Sequence, residues 1–267
     1  PPPRAPPCSG AGSAAGPWNV GVMGLHRSGT HALREYVERY FHCEVEPRQR
    51  KSKGRVDGGT VELAGGFEIW KHVVPLRDAG MPATGRDGLP ALILLTVRSP
   101  ASWIVSLSSH AYEIFPRLTR RRPQGEFDWM FQEITMSTSG GLFRDPFEDS
   151  HFNSVADLWV HYAKGYFSRA MGEGPTFVVV RFEDIVLRPA AVVDALERDL
   201  GLPRKAVPFA PIEESVSGGS ASREDVVNRL ERDEAVQQLQ ARSLAGLLKQ
   251  QLFPSQELLQ WLGYSLP

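Results

Sequence analysis

Cysteine is scarce in this sequence, and long hydrophobic runs are missing. Among 267 residues there are two cysteines, Cys8 and Cys43, which excludes a disulfide-rich scaffold and a four-cysteine zinc site. The sequence is compatible with one disulfide between these cysteines and with two free thiols, so it does not decide the redox compartment. No stretch of about eighteen apolar residues occurs, and because a membrane helix needs such a length, no span is expected in this chain.

The chain also has no large excess of positive or negative charge. It contains thirty Lys and Arg residues and thirty-one Asp and Glu residues, for a formal net charge of −1. This balance disfavours binding to nucleic acid through bulk charge. Two local basic runs, 48–55 and 117–122, indicate either a solvated surface or a rim that attracts an anionic acceptor. No His-x-x-x-His or Cys-x-x-Cys pair occurs, and no metal is expected.

Composition divides the chain into a tail and one domain. Residues 1–17 are nearly all Pro, Gly, Ala and Ser, and such a segment buries too little apolar surface to offset the entropy of ordering. We therefore expect a disordered tail or stem over 1–17 and a single domain over 18–267. A stem of this kind fits a Golgi enzyme with an anchor upstream of Pro1, and a cytoplasmic protein is the alternative.

Apolar strand patterns alternate with helical ones along the domain. Strands are predicted at 18–24, 67–73, 91–97 and 176–181, and helices at 31–40, 101–112, 126–136, 151–171, 190–200 and 223–250. The continuous apolarity of 91–97 suits a strand covered on both faces. This alternation predicts an α/β fold with a parallel sheet flanked by helices in three layers.

The segment Gly24-Leu-His-Arg-Ser-Gly-Thr30 lies between the first strand and the first helix. In that position the backbone N–H groups of a glycine-rich turn and the helix N-terminus favour an anion such as phosphate. Arg27 adds a fork of donors, and Ser28 and Thr30 add hydroxyls. The plainer alternative is a turn in which the glycines only allow a positive φ.

The loop departs from that of nucleoside-triphosphate enzymes. Those enzymes carry Lys directly after the second glycine, whereas here Thr30 follows Gly29 and the cation, Arg27, lies inside the loop. The strand 91–97 ends in Arg98 rather than in a magnesium-binding Asp. A P-loop kinase acting on a small molecule is therefore the second choice among enzymes.

Together these segments resemble the PAPS-dependent sulfotransferases. Arg27-Ser28-Gly29-Thr30 is similar to the family's loop around the 5′-phosphosulfate. Arg98 at a strand end and Ser106 eight residues later are similar to the pair that binds the 3′-phosphate. The resemblance implies a P-loop-type fold, PAPS as donor, PAP as product and no metal.

Two later segments carry the resemblance more weakly. The run 178–185 is similar to the family's strand followed by [Y/F]-E-D, which implies that Phe182 lies near the adenine; 258–264 resembles the end of such domains. The family's R-K-G near a Gly-x-x-Gly-x-W segment has no counterpart here. Residues 217–223, ending in Arg223, are either a replacement phosphate loop or a plain connection.

Two residues compete for the role of base. His72 resembles the histidine of the family's K-T-H-L-P, although Lys71 is adjacent to it and Pro75 is one place late. A neutral imidazole is suited to taking a proton at physiological pH. Glu46, followed by Pro47, resembles the glutamate-proline of carbohydrate-sulfating members.

The sequence thus predicts a sulfotransferase acting on a hydroxyl or amine of a small-molecule or glycan acceptor. An inactive sulfotransferase-like binding module is a further alternative, kept open by the unusual spacing at Lys71 and His72. His31 is expected to make local hydrogen bonds, and Lys71 to contact sulfuryl oxygens. The predicted catalytic residues are Arg27, His72 and Glu46, and the predicted donor-binding residues are His26, Arg27, Ser28, Gly29, Thr30, Arg98, Ser106 and Phe182.

Overall fold

A computed structural model defines the fold over most of the chain. It describes residues 18–46, 51–52, 55–56, 60–64, 67–70, 72, 83–85, 88–109, 114–116, 128–136, 151–171, 175–213 and 222–265. The predicted tail at 1–17 lies outside these residues.

Eleven strands occur in the described ranges, and four of them form a central parallel sheet. In chain order they are β1 Asn19–Gly24, β2 Glu44–Glu46, β3 Lys51–Ser52, β4 Arg55–Val56, β5 Thr60–Leu63, β6 Phe67–Trp70, β7 Ala91–Val97, β8 Ile114–Pro116, β9 Ile134–Met136, β10 His151–Phe152 and β11 Thr176–Arg181. The central sheet has the order β11-β7-β1-β2, with every neighbouring pair parallel. Its strands β1 and β7 are buried along their whole length, as continuous apolarity predicts.

Nine α-helices are found in the described residues. They are α1 Thr30–Tyr40, α2 Pro100–Ser109, α3 Val155–Ala170, α4 Phe182–Leu187, α5 Pro189–Leu200, α6 Arg223–Glu231, α7 Glu234–Ala241, α8 Ala245–Leu252 and α9 Gln256–Trp261. Two short 3-10 turns lie at Asp128–Phe131 and Phe253–Ser255. None of the helices in the described ranges is long and apolar enough to cross a membrane.

Helices cover both faces of the central sheet. Alternate strand residues point to opposite faces, so Leu92 and Leu94 of β7 join one core cluster while Ile93 and Leu95 join the other. The first cluster packs against α1, α4 and α5, and the second against α2, α3, α7, α8 and α9. The chain is therefore α/β with a four-stranded parallel sheet flanked by helices, an arrangement compatible with the expected three layers.

One strand prediction, at 67–73, needs correction, and one strand of the central sheet was not predicted. The strand at 67–70 exists, but it pairs antiparallel with Thr60–Leu63 outside the central sheet. The fourth central strand is instead Glu44–Glu46, which pairs with β1. A strand of three residues is too short to show a period in the sequence, and its edge position follows only from the pairing with β1.

Two helix predictions were also wrong. In the described part of that predicted helix, 128–136, a 3-10 turn forms at Asp128–Phe131, and Ile134–Met136 pairs between β8 and β10 as a strand, where β-branched residues fit. The single helix predicted at 223–250 is three helices, broken where Asp233 and Ser243 adopt φ of 49° and 58°. The breaks let α6, α7 and α8 pack against α4, α2 and α3 in turn.

The carboxyl ends of β1, β7 and β11 meet at one edge of the sheet. Gly24 is in register with Thr96, and Val97 with Arg181. From β1 the chain passes through α1 to β2 on one side, whereas from β7 it reaches β11 on the other. The point where the strand order reverses therefore lies between β1 and β7, and open α/β sheets bind ligands at such points.

Candidate functional site

The loop 24–30 occupies the point between β1 and β7, and its shape depends on backbone conformations that glycine favours. Gly24 has φ of 158°, and a Cβ there would lie 1.9 Å from the Thr96 hydroxyl oxygen. Gly29 has φ of 87°. Arg27 also adopts a left-handed conformation, with φ of 61°, which costs a non-glycine residue free energy. The chain thus turns sharply enough to direct the exposed Arg27 side chain away from the core.

Two buried hydroxyls fasten this loop to β7. The Ser28 hydroxyl lies 2.5 Å from the Leu25 carbonyl oxygen and 2.6 Å from the Thr96 hydroxyl. Thr96 in turn lies 3.2 Å from the carbonyl oxygen of Met23. Ser28 is fully buried, so its side chain faces the sheet and not the mouth of the loop. The structure therefore gives the Ser28 hydroxyl a part in shaping the loop.

The N-terminus of α1 opens directly from the loop. Gly29 is its N-cap and has no side chain with which to accept a helix N–H, and the first turn contains no acidic residue. Because the first N–H groups of a helix have no partner inside the helix and carry partial positive charge, this end favours an anion. Thr30, the first helical residue, is buried beside it.

Arg27, Arg98 and Ser106 converge at this point although they are far apart in the chain. The Arg27 Nε donates to the Ser106 hydroxyl at 3.1 Å. The Arg98 Nη1 donates to the backbone carbonyl of Arg27 at 3.1 Å. The site thus brings two guanidinium groups and a hydroxyl to one rim beside the N-terminus of α1.

The Arg98 guanidinium is held on several sides. Its Nε donates to the Ser102 hydroxyl at 2.7 Å, and its central carbon lies 4.2 Å from the centre of the Phe182 ring. Burial lowers the pKa of Arg98 to about 10, Glu183 opposes the shift, and Arg27 adds to it. At neutral pH the group is still a cation, and a partly dehydrated cation beside another one favours a bound anion.

Glu183 closes the site from the side of β11. Its carboxylate accepts from the Ser99 backbone N–H at 3.0 Å and from the Tyr264 hydroxyl at 2.8 Å. The Glu183 carboxylate therefore lies at the N-terminus of α2. The first turn of α1, in contrast, contains no acidic residue. Burial and the charge of Glu183 raise the pKa of the Tyr264 phenol well above its usual value, so this hydroxyl stays a donor.

Two histidines lie together on the other side of the loop. His26 is buried, and its ring stacks on that of His72 with centroids 4.1 Å apart. The Nδ1 of His72 is 2.8 Å from the Gly24 carbonyl oxygen, and its own carbonyl accepts from Tyr162 at 2.5 Å. A carbonyl can only accept, so Nδ1 carries hydrogen, and in the neutral ring Nε2 is the basic nitrogen.

The other candidate base and the basic segments are described less fully. Glu46 ends β2 in register with Gly21, three residues before Gly24, and only its backbone is described. Lys71, residues 117–122 and residues 217–221 lie outside the described ranges. Arg223 donates to the Val186 carbonyl at 3.0 Å and is thereby tied to α4.

Several residues that shape the site were missed from the sequence. Trp103 donates from its indole to the His26 carbonyl at 2.7 Å, and Trp159 to the Arg98 carbonyl at 2.8 Å. Ser102 and Trp103 lie on the same helix face as Ser106, so helical spacing could have indicated them. No sequence signal marks Trp159, because only the fold brings α3 to the end of β7.

Chemically, this arrangement can bind a ligand with more than one anionic group and can accept a proton nearby. Among the described residues, no three His, Cys, Asp or Glu side chains come together as a metal site. No family model, curated protein or solved structure matches the chain.

Proposed function

We propose that this chain is a PAPS-dependent sulfotransferase with a P-loop-type fold. It transfers a sulfuryl group to a hydroxyl or amine of an acceptor, and carbohydrates are the first acceptor class to screen. The observation that carries the proposal is the convergence of Arg27, Arg98 and Ser106 beside the uncapped N-terminus of α1. Three donor groups from separate segments at one rim suit a ligand with two phosphate groups.

The residues present fit the two ends of such a donor. The loop amides, the N-terminus of α1 and Arg27 offer donors to the 5′-phosphosulfate. Arg98 and Ser106 offer a guanidinium and a hydroxyl to the 3′-phosphate. Within the described residues Nη2 of Arg98 donates to no other group, so one edge of its guanidinium is available for a phosphate.

When bound, PAPS supplies the sulfuryl group and a phosphate that can depart. Arg27 stabilises the negative charge that develops on this phosphate, because a fixed cation at that place interacts more strongly with the transition state than with the ground state. The buried Ser28–Thr96 pair keeps the loop from relaxing, so the field of Arg27 is arranged in advance.

His72 is the first candidate for the base. Its Nδ1 is engaged by Gly24, which directs Nε2 to accept the proton that the acceptor hydroxyl loses as its oxygen becomes sulfated. The stacked ring of His26 and the hydrogen bond from Tyr162 hold His72 in place. Glu46 stays the second candidate at the end of the neighbouring strand.

Nucleotide binding tests the proposal first. The purified protein is titrated with PAP, ADP and ATP, each with and without Mg²⁺. We expect PAP to bind tightest and independently of Mg²⁺. Arg98→Ala should weaken PAP binding by about 10- to 100-fold, since a hydrogen bond to a charged group contributes about 1.5–3 kcal/mol.

A matched control is Arg198→Ala, which removes an exposed arginine of α5 that pairs with Asp199. Its affinity for PAP should equal that of the unaltered chain. Preference for ATP with Mg²⁺ would instead favour the P-loop kinase and refute the sulfotransferase. Binding of PAP without sulfuryl transfer from PAPS to any acceptor screened would indicate the inactive binding module.

A further inference from the structure

The Phe182 ring is placed between the two anion-binding segments. One face of it carries the Arg98 guanidinium, whose carbon is 4.2 Å from the ring centre. Its edge lies against Gly29, because a Cβ at Gly29 would come within 2.8 Å of the Phe182 Cδ2 atom. A larger residue at position 29 would push the ring away from the loop.

Without the Phe182 ring, the other contacts of Arg98 do not fully fix the orientation of its guanidinium. The Ser102 hydroxyl accepts from Nε and the Arg27 carbonyl accepts from Nη1, and the N–H bonds of a guanidinium lie in the plane of the group. Neither prevents the plane from tilting about the line that joins them. A flat aromatic face beneath the group opposes that tilt and attracts the cation.

The backbone beside Phe182 is itself anchored. Phe182 is the first residue of α4, and the next residue, Glu183, accepts hydrogen bonds from Ser99 and Tyr264. Ser99 in turn follows Arg98 directly. Phe182 and Arg98 therefore each lie one residue before the hydrogen bond between Glu183 and Ser99. This bond keeps the distance between the ring and the guanidinium constant.

We infer that Phe182 is a positioning residue, which orients the guanidinium of Arg98 toward the 3′-phosphate and does not serve as the stacking surface for the adenine. This inference rests on the proposed function, because it assumes that Arg98 binds that phosphate. It departs from the expectation drawn from the sequence, in which Phe182 lies near the adenine. One face of the Phe182 ring is covered by the Arg98 guanidinium, so an adenine cannot stack on that face.

The two roles differ in which ligands they affect. PAP and AMP share the adenine and the 5′-phosphate, and only PAP carries a 3′-phosphate. Titration of Phe182→Leu with both ligands therefore separates the roles. We expect PAP binding to weaken about tenfold, as the loss of one partly dehydrated cation–π contact predicts, while AMP affinity stays unchanged.

Two further variants complete the experiment. Phe182→Tyr keeps an aromatic face under Arg98 and should restore PAP affinity. Phe177→Leu removes a buried phenylalanine of the preceding strand β11, which is in register with Ile93 and away from Arg98, and should lower stability without changing either affinity. If Phe182→Leu does not fold, as judged by circular dichroism, Phe182→Met replaces it because the flexible methionine side chain can fill an irregular gap.

Each outcome has one meaning. A selective loss of PAP affinity in Phe182→Leu, restored in Phe182→Tyr, supports the positioning role. Equal losses for PAP and AMP would show that the ring contacts the adenine and would overturn the inference alone. If the unaltered chain binds PAP no more tightly than AMP, Arg98 does not bind a 3′-phosphate, and the proposed function and this inference fall together.

Discussion

Replacing Thr96 with valine removes one buried hydroxyl beneath the loop 24–30 while keeping the shape of the side chain. Ser28 and Thr96 have two hydroxyl protons between them but three short contacts, to each other and to the carbonyls of Leu25 and Met23. At any moment two of these three contacts are true hydrogen bonds. The shortest two are those of Ser28, at 2.5 and 2.6 Å.

This count predicts the cost of each change. Thr96→Val loses the bond between the two hydroxyls and leaves the bond from Ser28 to Leu25, so stability should fall by about 1 kcal/mol. Ser28→Ala loses both of its bonds, but the freed Thr96 proton then turns to the Met23 carbonyl, so the net loss is again about 1 kcal/mol. The double variant should lose about 2 kcal/mol, with a coupling below about 0.5 kcal/mol.

Urea denaturation measures these losses through the midpoint at an unchanged m-value. A coupling near 1 kcal/mol, with the double variant no worse than Ser28→Ala, would refute the proton count. Titration with PAP adds a functional readout. Since the Ser28 side chain faces Thr96, both single variants should lose PAP affinity to the same small extent, and a loss of tenfold or more in Ser28→Ala alone would place this hydroxyl on the ligand.

Two further predictions concern stability. Gly24→Ala should lower the free energy of unfolding by about 3 kcal/mol or more, because its methyl group would overlap the Thr96 side chain, whereas Gly246→Ala, in an open position on α8, should raise it by up to about 1 kcal/mol. Thermal or urea unfolding compares the two, and equal effects would contradict the loop geometry. Burial acts to raise the pKa of Asp184, but hydrogen bonds from two arginines, Arg181 among them, hold that pKa below its usual value. Its contribution to stability is therefore present above about pH 4 and lost as pH falls through the lowered pKa, so Asp184→Asn should destabilise the chain at pH 7 and make little difference near pH 2; a destabilisation independent of pH would be inconsistent with this pairing.

Local patterns were sufficient for the parts of the fold that depend on neighbours in the chain. The strand β1, the glycine-bracketed loop and α1 follow one another within about twenty residues, and each has its own period or turn residues. Strand β7 was equally clear, because seven apolar residues in a row fit a strand buried on both faces. Arg98 and Ser106 follow this strand, and the common role that the resemblance implies for them stays a prediction.

Where pairing partners are distant, the same patterns failed. Ile134–Met136 became a strand because β8 and β10 lie beside it, and Phe67–Trp70 left the central sheet because it pairs with Thr60–Leu63. The long predicted helix at 223–250 broke at polar residues that tolerate a positive φ. In each case the free energy of tertiary contact exceeded the weaker local preference.

The sequence by itself determined an α/β chain with a cationic glycine-rich loop before a helix, since periodicity and turn chemistry are local properties. Only the tertiary structure decided that Arg27 donates to Ser106, that Arg98 rests on Phe182, and that His72 turns its Nδ1 to the loop. These contacts join residues 79, 84 and 48 positions apart, respectively. Their geometry depends on which strands lie side by side, and that order is set by the packing of the whole core.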